Sequence, residues 1–148
     1  MAVELGNKAF WDRLTDNPAR LAAEVCMVDV ANLDRTLEQH AALRAWVNAS
    51  HEAARIGEER LKWEHTKARA RVLLTARQEL DGVTGKNKSV AVLDAEVTCS
   101  TEVQEAMSAL LDQQEKRGAL RAMSDALEDR KDMLIQIAAK QRKERGDY

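Results

Sequence analysis

Two short patterns contain residue types that metal sites and nucleotide sites use, and each departs from what its chemistry requires. His51-Glu52-Ala53-Ala54-Arg55 begins like a zinc-protease helix, but Arg55 stands where the second histidine ligand must be. Gly82-Val83-Thr84-Gly85-Lys86 ends like a phosphate-binding loop, but it is two residues short, and Asn87 replaces the required serine or threonine. No serine, threonine or cysteine lies in a recognisable nucleophile motif. The sequence therefore predicts a protein that is not an enzyme, without catalytic residues or a cofactor.

The remaining metal-ligating side chains are widely spread. His40, His51 and His65 are not at ligand spacing, and no cysteine joins them. Cys26 and Cys99 are far apart, which favours a reducing, cytoplasmic compartment (that of the host if the protein is phage-encoded). The chain has neither the run of about 18 apolar residues that spans a membrane nor the basic and apolar leader of a signal peptide. We therefore expect no metal site and no membrane association.

Positive charge is concentrated in the middle of a chain whose formal net charge is −2. Residues 51–88 contain 9 basic and 6 acidic side chains, whereas residues 89–139 contain 5 basic and 10 acidic ones. Arg55, Lys62 and Arg69 recur every seven residues, which places them on one side of a helix. Arg60, Lys67 and Arg71 form a neighbouring stripe. This local excess of positive charge indicates an anionic partner, and phosphate backbones are the usual one.

Trp63 lies beside these cations and could stack on an unpaired base. Two interpretations of the basic helix stay open at this point: it contacts nucleic acid, or it is a solvated face whose charges pair locally. For the first, the predicted nucleic-acid-binding residues are Arg55, Lys62, Lys67, Arg69, Arg71, Lys86 and Lys88, with Trp63 as the base-stacking residue.

The elements that must carry these residues are helices. Strong helix formers dominate the composition, and the chain has one proline, Pro18. Asn17 before Pro18 predicts a helix start, with the first helix running to about Leu37. Apolar residues at helical spacing then predict a basic helix over about 41–80 and a C-terminal helix over about 101–145. We expect a loop over 81–100, within which residues 89–97 fit either a short strand or a short helix.

We therefore predict an all-α fold with two parts. Residues 1–40 form an N-terminal lead and helix, and residues 41–148 form a long, coiled-coil-like antiparallel helical hairpin. The apolar seams of the hairpin are thin, which leaves apolar surface uncovered. We expect this surface to be covered by self-association into a homo-oligomer.

Two short motifs and the order of the elements after them point to a family. Trp46-Val47-Asn48 is similar to a Trp-Leu-Asn in a first long helix, and Lys67-Ala68-Arg69-Ala70 occupies the place of a Lys-Ala-Arg-Leu motif implicated in DNA contact. A glycine-containing loop and a C-terminal helix follow. In these features the chain, from about Leu43 onward, resembles the UvsY-type phage recombination mediators.

The resemblance implies a non-enzymatic protein that binds single-stranded DNA and assembles into a ring. It also implies two protein partners, a single-strand-binding protein and a strand-exchange recombinase that the mediator helps to load. The alternative is a structural or adaptor helical hairpin protein of a phage, without DNA binding, in which the basic helix pairs with the acidic arm at 102–132. The sequence leaves open the ring size, the recombinase contact surface, the role of residues 1–40 and the preference for single or double strands.

Overall fold

The computed structural model of the chain describes residues 8–79, 85 and 87–146. The secondary-structure elements assigned in this part are all helices, which confirms the all-α prediction. None of the described helices is long and apolar enough to cross a membrane. The elements in chain order are α1 (Lys8–Asp16), α2 (Pro18–Val25), a 3₁₀ turn (Val30–Asn32), α3 (Leu33–Gln78), α4 (Val90–Cys99) and α5 (Thr101–Arg145).

The start of α2 is as predicted, but its end is not. Asn17 caps the helix by accepting a hydrogen bond from the Arg20 amide at 2.9 Å, and Pro18 occupies the first turn. The helix stops at Val25 rather than near Leu37. Polar side chains explain this, since Asp29 and Asn32 accept bonds from the amides of Ala31 and Arg35 at 3.0 and 3.4 Å. Such local bonds break one helix and begin the next.

The long basic helix therefore begins earlier than the sequence indicated, at Leu33, and ends at Gln78. The C-terminal helix matches its predicted bounds of 101–145. The segment 89–97 is helical, because Ser89 caps α4 through its side chain and the Val92 amide. Part of the predicted loop over 81–100 is thus the helix α4, while residues 80–84 and 86 lie outside the described part of the chain.

The chain divides into two compact units. The first comprises the described residues of Met1–Ala53 and Glu115–Tyr148, and the second is formed by Ala54–Gln114. Both contain an antiparallel pairing of α3 with α5. In the first unit Asn48 lies opposite Ser124 and His40 opposite Arg130; in the second, Ala54 lies opposite Gln113 and Arg71 opposite Glu102.

The first unit contains the largest buried side chains. Leu120, Leu127 and Leu134 of α5 are fully buried, as is Val47 of α3. The short helices α1 and α2 add Phe10, Leu14, Leu21 and Val25 to this unit, and Phe10 packs edge-on against Trp46 with ring centroids 4.9 Å apart. Residues 8–25 therefore cover one part of the helical pair.

The second unit has a thinner core of small side chains. Ala68 of α3, Val97 of α4 and Val103 of α5 pack together, with Val72, Leu73 and Ala106 around them. Gly57 faces Gln113, whose amide nitrogen would lie 2.7 Å from an added Cβ atom. Gln113 uses this space to donate a hydrogen bond to the Ala54 carbonyl at 2.9 Å. The glycine therefore permits a close contact between α3 and α5.

Candidate nucleic-acid interface

The second half of α3 has a buried side and an outward side. Ala54, Ala68 and Ala76 are buried. Trp63 and Leu74, which lie about half a turn away from these positions around the helix, are each 61% exposed. An indole with this exposure can contact a partner without any rearrangement of the core.

Four residues form one continuous patch on this outward side, because each is three or four positions from the next. We call Arg60, Trp63, Lys67 and Arg71 the outer patch; all four are exposed. The ammonium group of Lys67 lies over the Trp63 ring at 5.4 Å from its centroid, within the range of a cation–π contact. The patch therefore combines a flat aromatic surface with three cations.

Two cations of the outer patch have carboxylate partners. Lys67 pairs with Glu64 at 3.0 Å, one turn away on the same helix. Arg71 pairs with Glu102 of α5 at 2.8 Å. Arg60 forms no ion pair with any residue in the described part of the chain. Because these pairs are exposed to water, they contribute little to stability and can be exchanged for a phosphate.

The second stripe, Arg55, Lys62 and Arg69, lies on a different side of α3. Arg55 and Arg69 are exposed, and Arg69 pairs with Asp94 of α4 at 3.4 Å. Lys62 lies 2.9 Å from Glu58 and 3.0 Å from Glu59. Hydrogen bonds to these two carboxylates raise the pKa of Lys62 above its ordinary value. The structure thus separates the predicted cations into two groups, of which only one adjoins Trp63.

The two lysines predicted in the loop have different positions. Lys86 lies outside the described residues. The side chain of Lys88 is only 8% exposed and is held between Glu96 at 2.8 Å and Glu79 at 3.0 Å. Hydrogen bonds to Glu96 and then to Glu79 raise the pKa of Lys88. This lysine links the end of α3 to α4, so it is not part of the proposed nucleic-acid interface.

No cluster of three or more potential metal ligands is found among the described residues. His40 is buried against Arg130, with His40 Nδ1 and Arg130 Nη1 3.5 Å apart. Arg130 also donates a hydrogen bond to the Met27 carbonyl at 3.0 Å. These contacts give His40 a packing role in the first unit.

Three residues of this region are not among the binding residues predicted from the sequence. Arg60 belongs to the predicted neighbouring stripe, and its spacing of three from Trp63 is a usable signal for including it. Asp94 and Glu102, which hold Arg69 and Arg71, are 25 and 31 positions away from their partners. Only the packing of α4 and α5 against α3 brings these charges together.

Comparisons with known proteins found no matching family model, no matching curated protein and no matching solved structure.

Proposed function

We propose that the protein is a non-enzymatic, single-stranded-DNA-binding recombination mediator that acts as a homo-oligomer. The observation that carries the DNA-binding part is the outer patch, in which an exposed indole lies beside three cations. The remaining parts rest on the resemblance of residues from Leu43 onward to UvsY-type mediators. They are the partnership with a single-strand-binding protein and the loading of a strand-exchange recombinase, both in the cytoplasm.

The chemistry of the outer patch suits an unpaired strand. A base can stack on the Trp63 ring, because every base has a flat π-face, and such stacking contributes about 1–3 kcal/mol per base. Arg60, Lys67 and Arg71 lie within one or two helical turns of the ring and can bind the flanking phosphates. In a duplex the bases are already stacked on one another and cannot reach the indole.

One outer patch per subunit makes few contacts with DNA, so the affinity depends on how many subunits bind the same strand. If several subunits present their patches along one strand, each further contact becomes intramolecular and avidity rises without new chemistry. The exposed apolar side chains Ile56, Leu74, Met107 and Leu111 are available for contacts between subunits. Light scattering after size exclusion, with and without an oligonucleotide, measures assembly and DNA binding together.

The DNA-binding proposal is tested by removing two cations of the outer patch. We expect Arg60→Ala/Lys67→Ala to weaken binding of a labelled single strand at least about tenfold at about 50 mM salt. The slope of log affinity against log salt should become shallower by about 1.4, since each single-strand phosphate contact contributes about 0.7. Fluorescence anisotropy measures both quantities.

The matched control removes two exposed cations of α5, Arg121→Ala/Arg142→Ala, and so changes the net charge equally. It should leave the affinity within about twofold of the unmodified protein. Equal losses in the two double variants would show that only net charge matters, and would refute the assignment of the outer patch. The comparison is valid only if both variants keep the oligomeric mass of the unmodified protein.

The stacking role of Trp63 has a separate test. Trp63→Phe keeps an aromatic face and should retain most of the affinity, whereas Trp63→Ala should lose about five- to tenfold or more. The intrinsic fluorescence of the unmodified protein should be quenched by a single strand, and this quenching should be lost in Trp63→Phe. Unchanged binding in Trp63→Ala would remove base stacking from the proposal.

A structural or adaptor role is the second candidate, and the ion pairs favour it. Arg44 pairs with Glu128 at 2.6 Å in the first unit, and Arg71 pairs with Glu102 at 2.8 Å in the second. The basic helix thus satisfies part of its charge within the chain. A protein with this role alone would show no single-strand binding at physiological salt.

A further inference from the structure

Two carboxylates from outside α3 lie on the guanidinium groups of the basic helix. Asp94 of α4 is 3.4 Å from Arg69, and Glu102 of α5 is 2.8 Å from Arg71. Both partners of each pair are well exposed, with 49% and 70% of the side chain accessible in the first pair and 67% and 47% in the second. Each carboxylate therefore occupies a place that a phosphate would take.

The surface next to Arg71 is acidic beyond this one pair. An open cleft with a volume of about 640 Å³ lies beside it, lined by the carboxylates of Glu79, Glu96 and Glu102 and by Leu74. Lys88 pairs with the first two of these carboxylates but not with Glu102. A phosphate that binds Arg71 therefore comes close to Glu102.

Single and double strands differ in their ability to avoid these carboxylates. A duplex carries one charge per about 1.7 Å of its axis and is rigid over about 150 base pairs, so its phosphates cannot be moved individually. A single strand rotates about its backbone bonds and can place phosphates on cations while keeping them away from carboxylates. Like charges at about 4 Å repel enough to lower affinity about fivefold per contact in water.

We infer that Glu102 is a specificity-determining residue of the outer patch, which disfavours a duplex while allowing a single strand to bind. This inference depends on the proposed single-strand binding. Glu102 acts by charge and position alone, since it does not need to contact a base. Its effect is a penalty against the wrong ligand, in the way that specific interfaces use repulsion as well as attraction. Asp94 has no such role, because it pairs with Arg69, which is not part of the outer patch.

The experiment compares a single strand with the duplex of the same sequence. We expect Glu102→Gln to raise duplex affinity about fivefold and single-strand affinity about twofold or less, at about 50 mM salt. Anisotropy with each labelled probe gives the ratio of the two dissociation constants. The amide substitution keeps the size of the side chain, and far-ultraviolet circular dichroism checks that the helices are intact.

The control variant is Glu105→Gln, which removes one exposed carboxylate of α5 that pairs with none of the described residues. It should change neither the duplex affinity nor the ratio by more than about twofold. The same gain in both variants, or equal gains for the two probes, would overturn the inference while leaving single-strand binding intact. Absence of binding by the unmodified protein to either probe would instead refute the proposed function, and the inference with it.

Discussion

The two units contain the same pairing of α3 with α5 but fill it with different side chains. The first unit buries Leu120, Leu127 and Leu134 completely, whereas the core of the second is built on Ala68, Val97 and Val103. Among the described residues, seven large apolar side chains of the second unit are exposed, against four of the first unit (Met27, Leu37, Met133 and Ile135); those of the second are Ile56, Trp63, Leu74, Val90, Val92, Met107 and Leu111. The second unit therefore has the smaller buried core and leaves more of its large apolar side chains exposed.

A buried and an exposed leucine of α5 provide the most direct test of this contrast. Leu127→Ala should lower the free energy of unfolding by about 2–5 kcal/mol, because the fully buried side chain leaves a cavity. Leu111 is 50% exposed, and Leu111→Ala should cost less than about 1 kcal/mol. Urea denaturation followed by circular dichroism measures both. Similar losses in the two variants would contradict the difference in burial between these two leucines.

Two helical glycines extend the comparison to smaller effects. Gly118 has no atom within 4 Å of an added Cβ, so Gly118→Ala should stabilise the protein by about 1 kcal/mol through helix propensity. Gly57→Ala should gain much less, since its Cβ would displace Gln113 and break the hydrogen bond to Ala54, worth about 0.5–1.5 kcal/mol. Thermal melts of both variants give the difference. A gain in Gly57→Ala as large as that in Gly118→Ala would show that the Gln113 contact does not matter.

The buried His40 should give the first unit a dependence on pH. Burial, and then the positive charge of Arg130, lower the pKa of His40 below its ordinary value of 6.5, with Arg44 and Lys131 acting in the same direction and Glu128 opposing them. The unfolded chain binds a proton at His40 more readily, so stability should fall as pH falls through and below this ordinary value. Urea midpoints between about pH 7 and pH 5 measure the slope.

The assignment to His40 can be separated from other titrations. Hydrogen bonds from Arg13 and from Lys131 lower the pKa of Glu24 and of Glu128, respectively, below 4.5, so their stabilisation is lost only at lower pH. His40→Gln should therefore flatten the slope. An unchanged slope in His40→Gln would assign the dependence to another group.

The smallest effect is expected at the junction of α3 and α4. Lys88→Gln removes the cation that pairs with both Glu79 and Glu96. The two carboxylates then lose their counter-charge, and α4 should undergo local unfolding more often. Hydrogen exchange of the α4 amides should become faster, with little change in global stability. Lys140→Gln is the control, since Lys140 forms only a loose, exposed pair with Glu144 at 3.8 Å. Equal exchange in α4 for both variants would show that Lys88 does not stabilise this junction.

The sequence predicted the helical elements well where local signals were strong. The Asn17-Pro18 start of α2 and the bounds of α5 are confirmed. It failed between Val25 and Leu33, where the side chains of Asp29 and Asn32 end one helix and begin another. Helical spacing persists across that segment, so periodicity alone could not reveal the break.

By itself, then, the sequence determined that the chain is helical, that its cations are concentrated on α3 and which apolar positions would face a partner helix. These properties depend on residues a few positions apart, which a linear pattern records. Only the tertiary structure decided which of those cations lie beside Trp63, that Lys88 is buried, and that Asp94 and Glu102 pair with Arg69 and Arg71. Such pairings join residues on separate helices, and no local spacing fixes which side of one helix another will cover.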